Sequence, residues 1–167
     1  MRIYVPATLS MLRTLVKTGE LAAISGTAFA LTPALRESYV TGDAEELEYV
    51  AMADAARASL RLLAAELDAD PDTTPRRAVI AADVDDVTLR PDLDAAVVRL
   101  AGPIPMRMIA AAHVDTEEAE PAVRAASAVM DAADLGDPDA EFTVGDAEDH
   151  ELAWYAPQEL PFLLDLM

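Results

Sequence analysis

Apolar and polar positions fall into short periodic runs separated by proline, glycine and acidic turns. Arg2-Ile3-Tyr4-Val5 predicts a first strand, stopped by Pro6 because proline cannot donate to a ladder. Thr8 or Ser10 can cap a helix through about Thr18, with Leu9, Leu12, Leu15 and Val16 on one face and Gly19 as its stop. Thr27 to Leu31 reads as extended, and Thr32-Pro33 opens a short helix ending near Thr41-Gly42. Asp43 with Glu46 resembles a capping box for a long helix to Leu67. Its predicted apolar stripe is Tyr49, Met52, Ala56, Leu60, Leu63 and Leu67, widened by Leu47, Val50, Ala58 and Leu62. Asp54, Arg57 and Arg61 are expected to face water.

The pattern changes after the turn-rich connection at residues 68–76. Ala78–Val84, Val97–Leu100 and Met108–Val114 are short apolar runs that predict buried strands. A helix from about Ala119 to Asp134 follows, with Val123, Ala126, Met130 and Ala133 on one side. Leu135–Glu151 reads as a loop, Leu152–Tyr155 as a last strand, and Phe162–Leu166 as an apolar tail. Arg77–Asp86 and Arg107–Thr116 are similar in wording, two like strands and not a duplication.

Strand, helices, consecutive strands, helix, strand is an α+β order. It predicts a ferredoxin-like split β-α-β-β-α-β arrangement with extra N-terminal helices, in one domain over residues 1–167. An open three-layer α/β sheet is the alternative, disfavoured because the middle strands follow one another without a helix.

Composition sharpens this picture in two ways. The chain is 53% hydrophobic, but 35 of its 167 residues are alanine, so stability rests on the clustered Leu, Val, Ile and Met positions. The formal charge is −19, and residues 68–167 hold twenty-three acids against six arginines. Such a charge argues against direct nucleic-acid binding and against anionic lipid. No apolar stretch approaches the roughly 20 residues of a membrane span, and the N-terminus lacks a signal-peptide pattern. A cytoplasmic protein is expected. The absence of cysteine excludes disulfides and thiolate metal sites.

Phosphate-binding glycine loops, the nucleophile elbow and the zinc helix motif are missing. His113 and Asp115, two apart on a strand, share a face, and with His150 and Glu151 they offer a His/carboxylate set suited to a divalent metal. That set is the candidate for a small metal-dependent hydrolase, although no cofactor is the primary expectation. Asp83, Asp85 and Asp86 form a carboxylate cluster whose simplest reading is a solvated turn. Arg76, Arg77, Arg90, Arg99 and Arg107 are expected to pair with the surrounding acids. Trp154, Tyr155 and Gln158 form a candidate interaction surface, with Trp154 itself expected in the core.

RIYVPATLSMLRTLV, SGTAFALTPALRE with DAEELEYVAMADAARASLRLLAAE, and DAEDHELAWYAPQELPFLL are spread along the chain from residue 2 to residue 164. In these segments the sequence resembles a family of small acidic actinobacterial proteins of unknown function. The resemblance implies a bacterial, cytoplasmic setting and brings no reaction, ligand or site residue with it. The expectation is a non-enzymatic accessory protein that binds another protein or itself; the metal-dependent hydrolase is the alternative.

Overall fold

A computed structural model describes residues 1–167, and its elements follow local sequence signals closely. Strand β1 (Arg2–Ala7) leads into helix α1 (Leu9–Thr18), whose first turn is capped by the Thr8 hydroxyl accepting from the Met11 N–H at 3.4 Å. Gly19 ends it at φ +80°, a left-handed value that favours glycine, and donates to the Leu15 carbonyl. Strands β2 (Glu20–Leu21) and β3 (Thr27–Ala30) follow, then α2 (Pro33–Glu37) and the long α3 (Ala44–Ala69). The Asp43 carboxylate accepts the Glu46 N–H at 2.8 Å, the cap its spacing predicts.

The remaining strands are β4 (Ala78–Asp83), β5 (Val87–Leu89), β6 (Val97–Leu100), β7 (Ile104–Pro105), β8 (Ile109–Val114) and β9 (Ala153–Tyr155). Seven of the strands form one antiparallel sheet in the order β5-β6-β3-β1-β4-β8-β9, and β2 pairs with β7 separately. β1 and β3 are therefore direct antiparallel neighbours, whereas a split arrangement needs parallel strands with another between them. The mixed α and β content is as expected; the observed strand order is a different topology. Only Val84–Asp86 connect β4 to β5, which stand four places apart in that order. A flat sheet would set them about 19 Å apart, beyond the ~15 Å that this connection can span, so the sheet curls.

Both faces of the sheet are covered. Ile3, Val5, Ala28, Ala30, Ile80, Ala112 and Val114 pack against Leu9, Leu12 and Leu15 of α1 and against the terminal helix α7 (Leu160–Asp165). Tyr4, Val79, Ala81 and Ala111 on the other face lie under Ala51, Ala55 and Ala56 of α3. Leu60 and Leu63, further along α3, meet a third cluster built by α4 (Glu120–Ala128), α5 (Met130–Asp134) and α6 (Pro138–Glu148). Helices on both faces fit the layered alternative, but these strands are antiparallel where α/β sheets are mostly parallel. No helix is long and apolar enough to cross a membrane.

Three local expectations change. The expected loop at Leu135–Glu151 contains α6, whose cap is the Asp137 carboxylate accepting from Asp139 and Ala140, with Pro138 in the first turn. The expected single helix at Ala119–Asp134 breaks at Val129, which leaves helical geometry at φ −114° and ψ 11°. The stripe on α3 holds at Ala56, Leu60 and Leu63, which are buried as expected, but widens through Leu47, Ala51, Ala55 and Ser59 and leaves Tyr49 exposed. Small side chains let the helix seat closely on the alanine-rich sheet face, and larger Tyr49 is left on its flank. Ser59 fastens this contact, donating to the Ala7 carbonyl at 2.7 Å and accepting from the Ala78 N–H at 3.1 Å.

The acidic half is not solvated throughout. Arg57 pairs with Glu148 at 3.1 Å and Glu141 at 3.6 Å, and Arg61 makes a bidentate pair with Asp134 at 2.7 and 2.8 Å. Arg57 and Arg61, still partly open to water, thus bridge α3 to α5 and α6 at the rim of the apolar contact. Asp54 between them is half-buried; burial, then the charge of Asp94, raises its pKa.

Candidate functional site

Arg77 and Asp115 stand opposite each other just before β4 and just after β8. The Asp115 carboxylate accepts the Arg77 backbone N–H at 2.7 Å, its Nε–H at 2.8 Å and its Nη2–H at 2.7 Å. The side chains are 3% and 0% exposed. Arg77 Nη2 also donates to the His150 carbonyl at 2.8 Å, tying the segment after α6 to the sheet. Arg76 pairs with Glu120 and Arg90 with Asp92, both at 2.8 Å, as the charge balance leads one to expect. Arg99 and Arg107 form no ion pair, a departure from that expectation.

The geometry does not assemble the metal set. Asp115 is sealed and both its carboxylate oxygens are taken by Arg77. His113 sits on β8 opposite Val79 and Trp154; burial, then the charge of Arg2, lowers its pKa. His150 and Glu151 lie outside the sheet and line a cavity that includes neither His113 nor Asp115. No three His, Asp or Glu side chains converge as a metal-holding group. In the second cluster, Arg2 takes Asp83 through bonds of 2.8 and 3.1 Å and depresses its pKa, while Asp85 and Asp86 line a separate cavity.

At β9 the candidate interaction residues separate by face. β9 is an edge of the sheet and bonds only to β8, with Ala153 opposite Val114 and Tyr155 opposite Ala112. Asp115 donates to the Arg77 carbonyl toward β4, so by alternation along β8 the backbones of Ala112 and Val114 point toward β9. The pairs with Ala153 and Tyr155 are then the hydrogen-bonded ones, and the N–H and C=O of Trp154 face outward along the open edge.

Trp154 shares its face with His113 and is 61% exposed, correcting its expected place in the core. The cause is the position of α3, which lies mainly over β1, β3 and β4, reaches Ala111 of β8 and leaves the edge strand β9 open. Tyr155 points to the other face and packs against the α1–α7 cluster. Gln158 is exposed on the following 3-10 turn, lining a groove of about 430 Å³ with Met106, Arg107 and Pro161. Acids flank β9 in the chain, Glu148, Asp149 and Glu151 before it and Glu159 after it; Glu148 is held by Arg57, and unpaired Arg107 lies in the groove beside Gln158.

A family model matches residues 1–164. The chain belongs to DUF6912, a family of unknown function. No curated protein and no solved structure matches it. For this DUF6912 member, the residues themselves carry any functional reading.

Proposed function

We propose that the protein is an interaction module that captures an extended, basic segment of a partner protein along the free edge of β9. The observation that carries this reading is Trp154, whose exposed indole and outward backbone groups lie together on an unpaired edge strand. An added strand would satisfy those backbone groups, and the indole supplies a large apolar contact, the combination used in strand-addition recognition. The three-residue strand favours a short partner segment. Charge selects the chemistry: the acids flanking β9 favour lysine and arginine on the incoming strand, and the net charge of −19 opposes a second copy.

Co-purification from the native host with wild-type protein and a Trp154→Asp variant tests this. The expected result is a partner retained by the wild type, lost with the variant and released by added salt. Identical partners with both proteins would overturn the proposal.

A further inference from the structure

Beside the buried Arg77 lies a cavity of about 140 Å³ between α3 and the segment leading into β9. The guanidinium is a five-donor fork, and its Nε and Nη2 are committed to Asp115 and to the His150 carbonyl. Nη1 has no protein acceptor. Nor is it sealed, since the single fully enclosed side-chain atom without a partner is the Ser127 hydroxyl. Arg77 lines the cavity. A side chain 97% withdrawn from water thus keeps one nitrogen without a protein partner and lines a space large enough for a small ligand.

The rest of the lining says what kind of acceptor belongs there. Glu148 is held by Arg57 at 3.1 Å, but exposed Glu151 on the rim has no ion pair. With Arg77 balanced by Asp115, the cavity carries an excess of negative charge at Glu151, which disfavours phosphates and multiply charged anions. A ligand that suits both ends carries an oxygen acceptor for Nη1 and a cation for Glu151. Met52, Ala56 and Leu152 supply an apolar wall between those ends.

We propose that this cavity binds a free α-amino acid with a small apolar side chain, its carboxylate on Arg77 Nη1 and its ammonium at Glu151. The proposal is independent of strand capture at β9. A chain N-terminus offers a similar ammonium and carbonyl but lacks the carboxylate, so amino-acid amides distinguish the two sources.

The test is calorimetric titration of the full-length protein with alanine, valine, their amides, and propionate. Two variants avoid the buried pair: Glu151→Gln removes the rim charge, and Ala53→Phe fills the mouth from an exposed position on α3. The expected result is saturable binding of the free amino acids, weaker by about tenfold or more for propionate, for the amides and in Glu151→Gln, and lost in Ala53→Phe. Absence of saturable binding by either amino acid overturns the proposal, as does affinity unchanged in both variants. Equal binding of the amides overturns the assignment to free amino acids.

Discussion

Arg77 and Asp115 exchange four hydrogen bonds where β4 begins and β8 ends, with both side chains withdrawn from water. Removing one partner leaves the other charge buried and uncompensated. Asp115→Ala is expected to cost about 3–5 kcal/mol in urea denaturation, whereas Arg77→Met with Asp115→Leu recovers most of that loss. Equal losses for the single and double variants would contradict a pair held mainly by mutual compensation. Because Arg77 also holds the His150 carbonyl, amide exchange at 150–155 should accelerate in the double variant, which lacks the guanidinium.

His113 gives stability a specific pH dependence. Its folded-state pKa is lowered by burial and by Arg2, so below about pH 6.5 the unfolded chain binds more protons than the folded one. Its neutral form is accommodated at higher pH, and stability falls as pH drops through that value. The depressed carboxylates of Asp83 and Asp134 act in a lower window: their contribution is present above the ordinary aspartate pKa and lost as pH falls below it. His113→Gln should flatten the decline between about pH 7 and pH 5 and leave the acid limb in place. Superimposable pH profiles for variant and wild type would rule out this role.

The sole tryptophan reports directly on the sheet edge. Trp154→Gln is expected to change stability by no more than about 0.5 kcal/mol, as for an exposed position. A core tryptophan would cost about 3–5 kcal/mol on truncation to alanine. Emission of the wild-type protein should be red-shifted and readily quenched by iodide, and a blue shift should accompany partner binding. Strong protection from quenching in the free protein would contradict the open edge.

Ser127 lies on α4 with its hydroxyl enclosed and without a partner. A buried polar group left unbonded costs about 1–3 kcal/mol, so Ser127→Ala should stabilise the protein by about 1 kcal/mol in denaturant titration. A destabilised variant would show that the hydroxyl is satisfied in solution.

Much of the local structure is legible in the residues. Thr8, Thr32 and Asp43 cap the helices their positions predict, and the runs at Ala78, Val97 and Met108 contain buried strands. Helix α6, expected as a loop, does carry a start signal at Asp137-Pro138, and Ala140, Val144 and Ala147 are its buried positions. Its many carboxylates and Gly145 make that stretch resemble a loop. The site was less legible. Asp115 beside His113 looks like a ligand until Arg77, distant in sequence, takes both carboxylate oxygens.

The sequence by itself determined most of the longer elements and the location of the charge, because caps, periodicity and composition act within a few residues. Tertiary structure alone decided the strand order, the burial of the Arg77–Asp115 pair and the exposure of Trp154. Those outcomes depend on which surfaces meet. α3 settles over β1, β3 and β4 through its small residues and leaves β9 uncovered, a choice made by packing between segments far apart in the chain.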